Sequence, residues 1–240
     1  MRVGVYVDGF NLYYGARKLC GAGTAGWRWL DVRTLVASRI PTAWSGAHVD
    51  RVVYCTARVS GVNDPSSPLD QDRYLRALQL SGSVDHIEYG NFVTRVRTSP
   101  LATAGRRGRP ILTTSTWPVM LQDATGADVP DGRFLVSHQH REEKGSDVNV
   151  ATHLLQDVLM GAVDGVIVVS NDSDLKLPVV AARNHVPVGI VTPGGRLAGD
   201  LAFNPTDGVG GHWHALLDAV AFTSAQLPDP VGPVAKPTGW

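Results

Sequence analysis

Residues 165–175 read GVIVVSNDSDL, a short apolar run from Gly165 to Val169 closed abruptly by Ser170, Asn171, Asp172, Ser173 and Asp174. A brief β-branched run ended by polar, turn-forming residues is the signature of a buried strand that delivers acids just beyond its carboxyl edge. The amino end repeats the pattern in VGVYVDGFN, where Val3 to Val7 precede Asp8. Working outward, Arg51–Thr56, Val84–Tyr89 and Val186–Thr192 read as three more strands, with Gly165–Ser170 the fourth of five in sequence. Helical patterns lie between them at 11–19, 31–39, 71–81, 146–160 and 173–184. Strands alternating with helices imply an α/β fold, a three-layer sandwich around a central parallel five-stranded sheet.

The clearest helix spans Ser146–Met160, where Val150, Leu154, Leu155, Val158 and Leu159 recur on one face. Ser146 reads as its N-cap and Asp147 falls in the first turn, where a negative charge suits the helix dipole. Pro178 near the start of the next segment predicts a late start or a kink. Residues 91–137 break the alternation. They carry Arg95, Arg97, Arg106, Arg107 and Arg109 among Gly and Pro turns, and read as an antiparallel insertion in a single domain over 1–225. The tail at 226–240 holds Pro228, Pro230, Pro233 and Pro237 without periodicity and reads as extended or disordered. No internal repeat is visible.

Composition narrows the function. The 240 residues carry 22 Lys and Arg against 22 Asp and Glu, so the formal charge is zero. Such a chain does not coat a polyanion, and any nucleic acid must be gripped locally. With 43% hydrophobic and 18% charged residues it can build a core and is not a disordered chain. Cys20 and Cys55 show no CxxC spacing, which argues against a disulfide framework or a thiolate zinc site and suits a reducing, cytoplasmic compartment. The opening MRVGVYVDGFNLYY is cut by Asp8 and lacks a signal-peptide core, and no apolar stretch approaches the roughly 18 residues of a membrane span.

The acids carry the chemistry. Asp8 follows the first strand, and Asp172 and Asp174 follow the fourth. In an open parallel sheet these two strands can be neighbours flanking the switch point where the ligand crevice opens. Asp147 joins them, because its helix runs antiparallel to the strand it precedes and therefore starts at the same edge. Four carboxylates at one rim repel one another, and a divalent cation relieves that repulsion. An all-oxygen donor set favours magnesium or manganese over zinc. Each acid also has a plain structural role to weigh: Asp8 as a turn former, Asp147 as a dipole partner, Asp172 or Asp174 as an N-cap.

The motifs VYVDGFNLYY, EEKGSDVNVATHLLQD, VIVVSNDSDLKLPV and VPVGIVTP together resemble the NYN domains, PIN-like ribonucleases of the LabA/DUF88 group. The resemblance covers about residues 1–90 and 141–203. It implies a PIN-like fold and magnesium- or manganese-dependent hydrolysis of RNA. Asp8, Asp147, Asp172 and Asp174 fall on the family's acidic positions. Asn11 matches a polar position that contacts phosphate or supports the acids, and Lys144 in the KGSD turn is placed to approach a phosphate. Ser170, Asn171 and Ser173 complete the expected substrate-facing set, with the five arginines as phosphate grips. The runner-up readings are a non-catalytic nucleic-acid-binding module of the same fold, and a metal-dependent phosphoesterase acting on DNA or nucleotides. A homodimer is a possible assembly.

Weaker signals are mostly structural. Trp117 could stack on a base, whereas Trp27 and Trp29 read as core or interface residues. Gly21, Gly23 and Gly26 spell GxGxxG but follow a helical segment, so the strand that a dinucleotide site requires is missing. His138 and His140 alternate as on a strand, as do His212 and His214, and neither pair has a third ligand at defined spacing. Glu142 and Glu143 precede the KGSD turn, and either could add a carboxylate.

Overall fold

The computed structural model describes residues 1–60, 66–113, 122–130 and 132–240. Trp117 lies outside them. Two compact units share the chain: Met1–Asn91 with Glu143–Trp240, and Phe92–Glu142. The second interrupts the first where the arginine-rich insertion was expected, and extends a few residues further along the chain.

In chain order, β1 (Arg2–Asp8) leads into α1 (Gly9–Cys20) and α2 (Val32–Ala37), followed by β2 (His48–Ala57), α3 (Ser67–Leu80) and β3 (His86–Pro100). A small hairpin, β4 (Ala102–Ala104) with β5 (Pro110–Leu112), and β6 (Leu135–Lys144) come next. The chain continues through α4 (Ser146–Leu159), β7 (Gly165–Val169), α5 (Lys176–Arg183), β8 (Val188–Thr192), β9 (Trp213–Leu216) and α6 (Ala219–Ser224). The main sheet runs β6-β3-β2-β1-β7-β8-β9, and the hairpin forms a separate antiparallel sheet.

The expected five-stranded sheet is therefore a seven-stranded one. The five strands read from sequence are all present and parallel, in the order β3-β2-β1-β7-β8. The two additions sit at the edges, where burial is one-sided at most. β6, LVSHQHREEK, is exposed along most of its length, and β9, WHAL, is four residues alternating half-buried and exposed. Neither carries the apolar run that marks a central strand.

β1 shows what such a centre requires. All its residues from Val3 to Asp8 are buried. Val3, Val5 and Val7 face a core built with α1, α2, α3 and α6, while Tyr6 faces a second core with α4 and α5. Helices on both faces make three layers in this unit. A polar seam fixes α4 on the sheet: the Tyr6 hydroxyl donates to Asp157 at 2.8 Å, and Arg51 pairs with the other Asp157 oxygen at 3.1 Å. Burial raises the Tyr6 pKa, and the Asp157 charge raises it further.

Two local expectations change and one is met. Ser146 is the first helical residue of α4 rather than its N-cap. Gly145 occupies the cap with φ of 100°, a left-handed conformation that glycine adopts without a Cβ penalty. The capping oxygen comes from Glu143, which accepts from the Ser146 amide at 3.1 Å and its hydroxyl at 2.8 Å. The late start expected from Pro178 is observed: residues 173–175 form a 3-10 turn, α5 begins only at Lys176, and the proline sits in its first turn, where its missing N–H leaves nothing unpaired. The proline-rich tail is irregular but packed: Leu227, Val231 and Val234 are buried, and the Pro228 carbonyl accepts from the Trp29 indole at 2.8 Å. Trp27 and Trp29 are core residues, as their composition suggested.

No helix among the described residues is long and apolar enough to cross a membrane.

Candidate functional site

β1 and β7 are parallel neighbours, with Val7 opposite Val169, so Asp8 and the Ser170–Asp174 turn leave the sheet side by side. α4 starts at the same edge and brings Asp147. One carboxylate oxygen from each of Asp8, Asp147 and Asp172 lies within 4.8 Å of the others. These three acids, Asn11 and Glu143 line an open cleft of about 430 Å³.

The structural roles weighed for these acids turn out to coexist with the clustering. Asp8 N-caps α1, its Oδ1 accepting from the Asn11 amide at 3.0 Å, and its Oδ2 accepts from the Ser170 hydroxyl at 3.1 Å. Asp172 caps the 3-10 turn Ser173–Leu175, accepting from the Asp174 amide at 3.0 Å. A carboxylate has about four lone-pair sites. These bonds therefore orient each acid and leave capacity for a cation.

Asp174 does not complete the group. It is exposed on the 3-10 turn, its backbone serving as the donor to Asp172, and its carboxylate is not in the cluster. Its charge nonetheless reaches Asp147. Glu143 lines the cleft but holds the α4 cap instead of joining the three.

Other expected contacts are reassigned by their surroundings. Ser170 is fully buried, so it is a support for Asp8 rather than a substrate contact; its oxygen also accepts from the Asp172 amide at 3.1 Å. Asn171 faces the cleft, but its side chain is committed: Oδ1 accepts from the Ala198 amide at 2.7 Å and Nδ2 donates to the Arg196 carbonyl at 3.1 Å. Asn11 Oδ1 accepts from the Asn171 amide at 3.0 Å, tying α1 to the acidic turn. Ser173 is exposed on the turn and does not line the cleft, and neither does Lys144. The cation on the cleft wall is Lys18, one helical face along from Asn11 and Tyr14. The 11, 14, 18 spacing puts these residues on one face of α1, and the packing of the helix turns that face to the cleft.

The five arginines belong to the second unit and are exposed. Arg95 and Arg97 lie on β3, with Arg97 paired to Glu142 at 3.2 Å. Arg106 and Arg107 lie in the turn of the β4–β5 hairpin, and Arg109 just beyond it.

Two of the cleft acids, Asp8 and Asp147, hold their protons more tightly than free carboxylates do. Burial raises the Asp8 pKa against the pull of its hydrogen bonds, and the charges of Asp172 and Glu143 add to the rise. Burial also lifts Asp147 to about 6, helped by the charges of Asp8, Asp172, Glu143 and Asp174. Such a site gains most from an added positive charge.

The histidine pairs behave differently. His138 and His140 share a face of β6, their ring centroids 6.2 Å apart. His212 is buried, accepts from the Val188 amide at Nδ1 and meets the Asp207 carbonyl at Nε2, which is a structural role. A grouping that the linear spacing did not expose brings His86, Glu88 and His153 together, again with donor atoms within 4.8 Å of one another. Its signal was HIE at 86–88, two residues apart on a strand and therefore on one face. Next to the acidic cleft, and sharing Phe10 and Tyr14 with it, a cleft of about 730 Å³ is lined by Tyr13, Tyr54, Tyr74 and Trp240.

No family model matches the chain. It is 27% identical to the 6-hydroxy-3-succinoylpyridine 3-monooxygenase HspA of Pseudomonas putida, across all of this chain and 75% of that protein. A solved structure of a protein of unknown function from Vibrio parahaemolyticus is 17% identical, with a TM-score of 0.44 over 90% of this chain and 93% of its own.

Proposed function

We propose that the chain is a metal-dependent ribonuclease of the NYN, PIN-like type, using magnesium or manganese held by Asp8, Asp147 and Asp172. The observation that carries this reading is the meeting of three carboxylates, one almost fully buried and one with a pKa of about 6, at the switch point of a parallel sheet. The donor set fits the ion: three hard oxygens, no sulfur or nitrogen, and mutual repulsion that a cation removes. A bound divalent ion supplies a lowered pKa for an attacking water and neutralisation of charge on the phosphoryl oxygens.

The chain's own residues do the rest. Ser170 and the Asn11 amide hold the Asp8 carboxylate in one orientation through its two oxygens. Asn11 also holds the Asn171 turn, which keeps Asp172 beside Asp8. Lys18 offers the cleft a positive charge for a phosphate that carboxylates alone would repel. Without metal, burial and the neighbouring acids raise the Asp147 pKa to about 6, so a cation bound there would displace that proton and hold the carboxylate as a ligand. Attack of water on phosphorus with departure of the 3′ oxygen leaves a 5′-phosphate and a 3′-hydroxyl.

The test is incubation of purified protein with RNA and DNA, in manganese, magnesium or chelator, with product ends identified. Manganese-dependent RNA cleavage lost in Asp8→Asn and Asp172→Asn supports the reading. Cleavage that survives either variant, or chelation, defeats it.

A second reading has one observation behind it. The likeness to a protein named for a hydroxylated pyridine, together with the aromatic cleft beside the acids, favours a small heteroaromatic ligand in that cleft. Saturable quenching of tryptophan fluorescence by 6-hydroxy-3-succinoylpyridine, lost in Tyr74→Ala, is its expected outcome; a flat titration removes it.

A further inference from the structure

We propose that His86, Glu88 and His153 form a second metal site, selective for a borderline transition ion such as zinc and independent of the three aspartates. The inference does not rest on the nuclease reading.

The geometry comes from two elements. His86 and Glu88 stand two residues apart on β3, so both side chains leave the same face of the sheet. That face is the one α4 covers: a Cβ on Gly90, the next residue in the row, would meet the Lys144 carbonyl at 2.6 Å and the Ser146 amide at 3.1 Å. His153, less than two turns along α4 from Asp147, comes down over the pair. Glu88 Oε2 is 3.0 Å from His86 Nε2 and 3.2 Å from His153 Nε2. The rings are tilted by 56° with centroids 5.2 Å apart, so the two Nε2 atoms approach one oxygen without stacking.

Those separations match a coordination polyhedron. Zinc sits about 2.0–2.1 Å from imidazole nitrogen and carboxylate oxygen, which puts neighbouring donors of a tetrahedron roughly 3.3 Å apart. Two imidazoles and one carboxylate are the donor set of open zinc sites, with the remaining position left to water. That position is open here. The side chains of His86 and Glu88 are 45% and 38% exposed, whereas that of His153 is only 17% exposed. Cys55 is the register partner of Glu88 on β2 and is buried on the same side, but it is not among the clustered donors.

The alternative is a hydrogen-bonded surface triad with no ion. It predicts a modest effect of any one substitution and no response to metal. The two clusters are also distinct in space. Six residues separate Asp147 from His153, a rise of about 9 Å along α4. An imidazole-rich donor set and an all-carboxylate one on the same helix would take different ions. An ion at the histidine site would clamp the helix to β3 and so hold the amino end that carries Asp147.

The test uses full-length, untagged protein stripped of metal, with cobalt(II) as the spectroscopic stand-in for zinc. The expected result is one equivalent bound with intense visible bands of a tetrahedral or five-coordinate site, displaced by zinc. Binding should weaken at least about tenfold in Glu88→Gln and in His153→Ala, and stay unchanged in the Asp8→Asn, Asp172→Asn double variant. Zinc should raise the melting temperature of the parent protein and not of Glu88→Gln. Should His153→Ala fail to fold, His86→Asn, at a half-exposed strand position, takes its place. Weak octahedral bands, affinity indifferent to Glu88→Gln, or binding that vanishes with the aspartates instead would each overturn the proposal.

Discussion

At the scale of single residues, Asp8 and Asp147 illustrate one cost with two consequences. Both are carboxylates whose pKa is raised, and burial is the leading cause for each. Asp8→Asn or Asp172→Asn should reduce manganese-dependent cleavage by two orders of magnitude or more, beyond the roughly 10- to 100-fold typical of losing an outer partner of a metal ligand. In chelator, neither variant should melt lower than the parent, because removing one charge from a crowded cluster relieves repulsion. Product gels read the cleavage, and circular dichroism during heating reads the melting temperature together with fold integrity. Asp147 adds a pH dependence whose sign follows from linkage. Its folded pKa of about 6 lies above the ordinary value of 3.8, so the folded state holds that proton more tightly than the unfolded chain. The corresponding stability is fully present below about pH 4 and is lost as pH rises through about 6. Metal-free Asp147→Asn should therefore melt above the parent at pH 8, and the gap should close as the pH falls to 4. A gap that widens toward acid would contradict the shift. The site acids were legible because strand ends in a parallel sheet share an edge, and that rule needs only the strand pattern. Lys18 was not, because its place on the cleft wall depends on how α1 is rotated about its own axis.

At the scale of elements, the central strands were readable and the edges were not, for one reason. β1, β7 and β8 are buried on both faces and are written almost entirely in small and β-branched residues. β6 has solvent on most of its length and spells LVSHQHREEK, which carries no apolar period. β9 is too short for its alternation to stand out from the glycines before it. The α4 cap was misread because Ser146 satisfies the local preference, while the residue that supplies the oxygen, Glu143, belongs to the preceding strand. That junction is tight. A Cβ on Gly90 would collide with the Glu143 carboxylate and approach the Lys144 carbonyl at 2.6 Å. Backbone cannot yield as a flexible side chain does. Gly90→Ala should cost about 1–3 kcal/mol, the usual range for overpacking, read as a lower urea midpoint with an unchanged slope. Because the displaced element is the amino end of α4, the same variant should weaken manganese binding, while leaving the far end of the helix near Asp157 as protected from hydrogen exchange as before.

At the scale of the whole molecule, two segments outside the α/β alternation test how function and stability are divided. Replacing Arg95, Arg97, Arg106, Arg107 and Arg109 together should weaken RNA binding and flatten its dependence on salt, by up to about one unit of slope for each phosphate no longer neutralised, while the metal affinity of the acids stays put. An unchanged slope would make the second unit's arginines a solvated surface. The carboxyl-terminal tail bears on stability instead. Its proline content led to an expectation of an extended segment, since proline removes backbone donors and no periodicity was present. The tail is held by other means: the Leu227 amide donates to the Trp29 carbonyl at 2.8 Å, the Trp29 indole donates to Pro228, and Trp240 meets Trp29 edge-on with centroids 6.3 Å apart. Leu227, Val231 and Val234 are each at most 7% exposed within the core that also holds α1, α2 and α3. Full burial of an aliphatic side chain of this size stabilises by about 1.5–3 kcal/mol before the entropy of ordering the segment is subtracted. Three of them amount to a large part of the roughly 5–15 kcal/mol that keeps a domain folded. Truncation after Ala225 should therefore lower the melting temperature by about 10 °C or more, with a decrease near pH 7 that metal at the acids does not fully restore. Leu227→Ala together with Val231→Ala should reproduce most of that loss without shortening the chain. A truncated protein that melts within a degree or two of the parent would mean that the tail rests on the core without stabilising it.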